Sequence, residues 1–129
     1  MTDFRADCTI NLHAELRGKP AKIAWACSLV HSKRGRIVLA RRFVGAVTRE
    51  EAQLRALRFG LRQASRLLQE KVEANATFAL EELLAEESPR RLAPELKPLR
   101  EEVARVWLTF RHRRIGRLEG AEAVAVHAE

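Results

Sequence analysis

The spacing of turns within the first 47 residues limits how this chain can fold. Three apolar-rich segments, at 4–16, 21–32 and 36–47, are separated by the short turn sequences RGKP and SKRG. Strands joined by such short turns pair antiparallel. In the first segment apolar and polar residues alternate, as is typical of a strand with one buried face. The sequence therefore predicts a three-stranded antiparallel meander.

A long amphipathic helix is predicted next, over residues 48–69. Thr48 suits the N-cap, and Glu51 three residues later completes a capping box. Small and apolar residues dominate the stripe that should face inward. Its members are Gln53, Ala56, Leu57, Gly60, Leu61, Ala64 and Leu68. Gln53 is the exception, because it places a neutral amide on a face that should pack against the sheet.

The second half of the chain alternates strand and helix patterns. We predict a strand at 71–78, a helix at 79–87, a linker at 88–94 and a helix at 94–103 whose start Pro98 displaces. A fifth strand at 106–110, a basic loop at 111–117 and a helix at 118–128 follow. Strands preceded by helices should run parallel to the first. The prediction is one α/β domain, residues 1–129, with a mixed five-stranded sheet of three antiparallel strands and then two parallel strands, flanked by helices.

The charge is unevenly distributed. The net charge is +7, and no acid occurs between Glu15 and Glu50 or from 104 to 118. Such basic blocks suit nucleic-acid phosphates, which are contacted without reading base sequence. An RNA/DNA hybrid or a duplex is thus the expected partner. The predicted contacts are Lys33, Arg41, Arg42, Arg111, His112, Arg113, Arg114 and Arg117. An arginine-rich genome, such as that of a thermophile, also accounts for the composition.

Several classes of protein are disfavoured. Cys8 and Cys27 form neither a disulfide framework nor a zinc site, and we expect buried, reduced thiols. His13, His31 and His127 have no metal-ligand spacing and are expected to be structural or exposed. The sequence has neither a transmembrane run nor a secretory signal. The expectation is a cytoplasmic protein without a membrane partner.

Three motifs, in this order of elements, resemble the ribonuclease H-like fold, and most closely the bacterial ribonuclease H and reverse-transcriptase-like domain families. ADCT at 6–9 resembles the strand motif T-D-G-S. AQLRALRFGL at 52–61 resembles the helix pattern A-E-x-x-A-L-x-x-G-L, and LEGAEAVAVHA at 118–128 resembles the closing helix. The resemblance covers nearly the whole chain.

The resemblance implies metal-dependent phosphodiester hydrolysis, in which four carboxylates hold two magnesium ions. The four positions fall on Asp7, Gln53, Thr77 and Glu122, so only Asp7 and Glu122 supply metal-binding carboxylates. The glycine-rich stretch that follows the first aspartate in ribonucleases H is absent. We therefore predict an inactive or severely impaired domain that binds nucleic acid and needs no cofactor.

Two alternatives stay open. An active Mg- or Mn-dependent hybrid endonuclease would need Glu50 or Glu73 as a substitute ligand. A structural scaffold without a nucleic-acid role would use the acidic region at 81–102 to bind a partner or a second copy in a homodimer.

Overall fold

A computed structural model describes residues 5–17, 22–33, 35–45, 48–85 and 94–118, with side chains described outside 15–17, 22–24 and 37–45. The elements run in the order β1 (Cys8–Arg17), β2 (Lys22–His31), β3 (Gly35–Gly45), α1 (Arg49–Arg66), β4 (Lys71–Ala76), α2 (Leu80–Leu84), a 3₁₀ turn (Pro94–Leu96), α3 (Lys97–Thr109) and β5 (His112–Arg117).

The five strands form a single mixed sheet in the order β3-β2-β1-β4-β5. β1 pairs antiparallel with β2 and β2 with β3, whereas β4 is parallel to both β1 and β5. The predicted meander and the predicted fold class are confirmed. Because β1 has an antiparallel neighbour on one side and a parallel neighbour on the other, the pairing changes direction at β1.

The core lies between the sheet and α1. Alternate residues of β1, namely Cys8, Ile10 and Leu12, are fully buried, and α1 packs across β1 and β2. A Cβ atom on Gly60 would lie 2.5 Å from Ile10 Cγ2. Glycine is therefore required for the helix to approach the sheet this closely. Trp25 and Trp107 are buried and both cysteines are free and buried, as expected.

The ends of α1 differ in how well they were predicted. At the start, Thr48 Oγ1 accepts a hydrogen bond from the Glu51 amide at 3.2 Å, as the capping box requires. The helix ends at Arg66, before the predicted residue 69. Leu68 was predicted to face inward, but it has a φ of 55° and is 88% exposed. Leu68 itself adopts the left-handed backbone conformation just after the helix, and this conformation turns its side chain away from the inward-facing stripe.

Ion pairs join α1 to α3. Glu102 on α3 contacts Arg62 at 2.7 Å and Arg58 at 3.6 Å. The hydrogen bond from Arg62, together with the charge of Arg58, lowers the pKa of the Glu102 carboxyl. Arg58 and Arg62 thus share an acidic partner within the protein, so these two arginines are poor candidates for phosphate contacts.

The prediction for residues 106–117 was wrong. The segment predicted as the fifth strand forms the last turn of α3, and the predicted basic loop forms β5. Leu96, Val103, Trp107 and Phe110 recur at helical spacing and are all buried. Helical periodicity therefore outweighed the β-propensity of VWLTF. β5 is an edge strand of the sheet, a position where charged side chains are common because they protect the unpaired edge.

The predicted closing helix at 118–128, with Glu122 and His127, lies outside the described residues apart from Leu118. Leu118 is buried and packs against Ala26 of β2. The described part of the chain has no helix that is both long and apolar enough to span a membrane.

Candidate functional site

A hydrogen-bonded pair of side chains lies where β4 ends, beside the middle of β1. The Thr77 amide donates to the Leu12 carbonyl at 3.1 Å, which extends the parallel pairing one residue beyond β4. Thr77 therefore lies beside His13, and Thr77 Oγ1 is 2.9 Å from His13 Nδ1. Both side chains are partly buried. They belong to the residues that alternate with Ile10 and Leu12, on the sheet face away from α1.

The neighbouring row on this face is also polar. Asn75 Nδ2 donates to Asn11 Oδ1 at 3.3 Å and to Glu73 Oε1 at 3.1 Å. Asn75 is in register with Gly116 on β5, and a Cβ atom at Gly116 would overlap Asn75 Oδ1. Glycine at this position therefore leaves room for the amide. Glu73 is also paired with Arg114 at 2.9 Å.

Gln53 lies at a similar level along the sheet, but it belongs to α1, which covers the opposite face. The helix leads from the end of β3 to the start of β4, so it runs opposite to β1, and Gly60 lies over Ile10. Gln53 is seven residues earlier, about 10 Å along the helix. On β1 that distance corresponds to about three residues, so Gln53 lies at the level of His13. Gln53 is 2% exposed, and its Oε1 atom accepts no hydrogen bond from the described residues.

Asp7 does not belong to this end of the sheet. It precedes β1, and its amide donates to the Lys71 carbonyl at 2.8 Å. Asp7 Oδ2 also accepts from the Lys71 amide at 3.4 Å. Lys71 begins β4 and Thr77 follows its last residue, so Asp7 and Thr77 are separated by roughly 20 Å.

The predicted convergence of Asp7 and Thr77 is thus corrected by the structure. The β1 residue beside Thr77 is His13, six positions after Asp7. Both residues fall on the polar side of the alternating pattern, so periodicity alone did not distinguish them. The parallel register between β1 and β4 places His13, and not Asp7, beside Thr77. The sequence does not specify this register.

The predicted phosphate contacts divide into two groups. At the Asp7 end, Lys33, Arg111 and His112 are exposed. Arg113 lies near them, but Arg113 Nη1 donates to the Leu108 and Phe110 carbonyls, at 3.0 and 3.1 Å, and so caps the C-terminus of α3. Arg114 is paired with Glu73. Both Arg113 and Arg114 therefore already have partners within the protein.

At the Thr77 end, Arg117 is exposed and in register with Ala76. Arg41 and Arg42 of β3 are in register with Ala26 and Trp25, at the level of His13, and their side chains are outside the described part. A groove of about 320 Å³ lies between the segment that leads into α2 and the end of β5. Its lining residues are Phe78, Ala79, Leu80, Glu81, Glu82, Ile115, Gly116 and Arg117.

The described residues do not fit a two-magnesium centre. Magnesium requires hard, anionic oxygen ligands, whereas His13, Gln53 and Thr77 supply an imidazole, an amide and a hydroxyl. No group of three or more His, Cys, Asp or Glu side chains within the described residues is placed to hold a metal ion. Of the two substitutes considered, Glu73 is already ion-paired, and Glu50 is on the first turn of α1.

Comparison with known proteins supports the fold. No family model and no curated protein sequence matches the chain. The N-terminal RNase H domain of a Mycobacterium tuberculosis protein is similar, with a TM-score of 0.75 and 16% identity over 95% of this chain and 88% of that one. RNase H1 from Halobacterium salinarum is similar with a TM-score of 0.72 and 21% identity, over 95% of each chain. LC11-RNase H1 in complex with an RNA/DNA hybrid has a TM-score of 0.70 and 14% identity, over 92% of this chain and 90% of that one. The chain therefore has the ribonuclease H-like fold.

Proposed function

We propose that this chain is a ribonuclease H-like domain that binds nucleic acid through its basic surface and has little or no hydrolytic activity. The observation that carries the proposal is the hydrogen bond between His13 and Thr77 beside the end of β4. Neither side chain is a carboxylate, and Gln53, at a similar level on α1, is a neutral amide. A site of this composition does not supply the negative charge that two divalent cations require.

The expected ligand is an RNA/DNA hybrid or a duplex, bound without sequence preference. Lys33, Arg111, His112 and Arg117 are exposed, and phosphate contacts by such residues position a nucleic acid without reading its bases. LC11-RNase H1, which has the same fold, was solved with an RNA/DNA hybrid. Arg113 and Arg114 are expected to contribute less, because the α3 carbonyls and Glu73 already bind them.

Salt-dependent binding tests the proposal. We expect affinity for a fluorescent RNA/DNA hybrid to fall steeply between about 50 and 200 mM salt, because phosphate contacts release counterions. Arg117→Ala should weaken binding of all sequences alike and reduce the salt slope by about one. Arg62→Ala is the matched control, since Arg62 is paired with Glu102 on another surface. Absence of binding at the lowest salt would refute the proposal.

A cleavage assay tests the loss of activity. We expect no hydrolysis of the hybrid with magnesium or manganese, even at high protein concentration. Gln53→Glu should not create activity, because Thr77 and His13 remain without a carboxylate. Metal-dependent cleavage that Glu50→Gln or Glu73→Gln abolishes would instead establish the active-nuclease alternative. Light scattering addresses the scaffold alternative, which predicts a dimer that forms without nucleic acid.

A further inference from the structure

A basic row, formed by Lys33, Lys71 and His112, crosses the sheet at the amino ends of β4 and β5. We infer that this row is the main contact with the phosphodiester backbone of a double helix, and that Asp7, which lies within the row, opposes this contact. The inference rests on the proposed function. It specifies which surface meets the ligand, and it adds Lys71 to the predicted contacts.

Lys71 and His112 lie side by side. They are in register on β4 and β5, so their backbones are about 4.8 Å apart and their side chains leave the same face of the sheet. Val72, the next residue of β4, is fully buried in the core on the α1 side. Because successive side chains of a strand alternate, Lys71 and His112 share the opposite face, and both are exposed.

Backbone hydrogen bonds continue the row towards β2. The Asp7 amide donates to the Lys71 carbonyl at 2.8 Å, and the Ser32 amide donates to the Asp7 carbonyl at 3.0 Å. Lys33 follows Ser32 and is exposed. The row therefore spans three strand spacings, about 14 Å. One strand of a duplex presents a phosphate about every 3.4 Å of helix axis, so the row is as long as about four phosphates.

The cations of this region are available to an external anion. Lys33, Lys71 and Arg111, the residue before His112, are exposed, and none of them forms an ion pair within the described residues. Lysine and arginine side chains of this kind contact phosphates without reading the bases. The basic row and Arg111 thus provide several phosphate contacts on one continuous part of the surface.

The opposite end of β5 is less suited to a phosphate. Arg117 is exposed there, but it is in register with the buried residue Ala76 and so belongs to the α1 side of the sheet. Glu81 and Glu82 line the groove to which Arg117 contributes. Their carboxylates repel phosphate, so this end adds at most a minor contact.

Asp7 places a negative charge inside the row. Its Oδ2 atom accepts a hydrogen bond from the Lys71 amide at 3.4 Å, which holds the carboxylate beside Lys71. A phosphate bound by Lys71 is therefore close to this carboxylate and is repelled by it. Glu70 is a second exposed acid, one residue before Lys71. Removal of the Asp7 charge should therefore strengthen binding, whereas a metal-binding Asp7 would be required for it.

Charge reversal tests the position of the row. We expect Lys71→Glu to weaken binding of a fluorescent RNA/DNA hybrid by about tenfold or more at about 50 mM salt, because one phosphate contact is lost. Lys97→Glu is the matched control. It makes the same charge change at an exposed position at the start of α3, about 18 Å along that helix from the residue that ends it near the row, and should change the affinity by less than about twofold.

Neutralisation of Asp7 tests its role. Asp7→Asn keeps an oxygen that can accept the Lys71 amide hydrogen bond and removes the charge. We expect it to bind the hybrid about two to three times more tightly than the wild type, in EDTA and in magnesium alike. Glu95→Gln removes an exposed acid away from the row, next to α3, and should leave the affinity unchanged.

Each outcome has a distinct meaning. The inference is overturned if Lys71→Glu weakens binding no more than Lys97→Glu, or if Asp7→Asn binds no more tightly than Glu95→Gln. The proposed function survives either result, provided that the wild type binds. Failure of the wild type to bind at the lowest salt overturns the proposed function itself. Thermal melts establish that each variant is folded, and Lys33→Glu replaces Lys71→Glu in the same comparison if the latter does not fold.

Discussion

Replacing Gln53 with methionine should stabilise the protein. Gln53 is 2% exposed, and within the part of the chain that the structure describes its Oε1 atom has no hydrogen-bond donor. A buried polar atom without a partner costs about 1–3 kcal/mol. Methionine has a similar length and adapts readily to its surroundings, so little packing energy should be lost. We expect a net gain in the free energy of unfolding of about 1 kcal/mol.

This gain is measurable by thermal or urea unfolding. The unfolding entropy is roughly 2.1 cal/mol/K per residue, or about 0.27 kcal/mol/K for 129 residues. A gain of about 1 kcal/mol therefore raises Tm by about 4 °C. The urea midpoint should rise with an unchanged m-value, which shows that stability rather than compactness has changed.

Gln53→Glu is the matched control, because it keeps the shape and adds a charge. Burying that carboxylate should destabilise the fold, and the loss should diminish as the solution is acidified and the group protonates. A Gln53→Met variant less stable than the wild type would refute the reasoning. It would show that the amide makes a favourable interaction that the buried Oε1 atom does not reveal.

Three further changes have defined outcomes. Leu68→Gly should stabilise the protein by about 0.5–1 kcal/mol, because Leu68 has a φ of 55° and is 88% exposed, and Leu68→Ala, which keeps the unfavourable backbone, should not. Gly116→Ala should destabilise the protein by about 1–3 kcal/mol, because the added Cβ atom overlaps Asn75 Oδ1. The same substitution should cost much less stability in an Asn75→Ala background. Additive losses in the double variant would contradict the overlap. The pKa of Glu102 is lowered in the fold, so its ion pairs stabilise the protein above the usual value of 4.5 and are lost as the pH falls below it. Between about pH 5 and pH 3, the free energy of unfolding measured by urea titration should therefore fall less for Glu102→Gln than for the wild type. If it falls equally for both proteins, the Glu102 ion pairs do not contribute to stability in this way.

The sequence predicted the parts of the fold that depend on local patterns. Short turns determined the meander, and Thr48 with the stripe from Gln53 to Ala64 determined α1. The prediction failed where a local pattern was ambiguous. VWLTF has the composition of a strand, but Val103, Trp107 and Phe110 continue a helical stripe that only the packing of α3 makes evident.

The candidate site was predicted in part. Gln53 and Thr77 were chosen from the sequence, and the structure places them at a similar level along the sheet but on opposite faces. Asp7 was chosen from a four-residue resemblance, and His13 was overlooked because it has no ligand spacing. What separates these two residues is the register between β1 and β4. Register between strands so distant in sequence depends on tertiary packing, so a single sequence does not reveal it.

The His13–Thr77 hydrogen bond joins residues 64 positions apart. β1 can pair with β2 as a local hairpin, but β4 reaches β1 only after α1 has crossed the sheet. Closing so long a segment is entropically costly, and such contacts tend to form late in folding. His13 and Thr77 are therefore brought together by the same event that completes the sheet. A partly folded chain would keep the β1–β2 hairpin without this hydrogen bond. Heat should therefore abolish the proposed nucleic-acid binding and the pairing of β4 together, in a single transition.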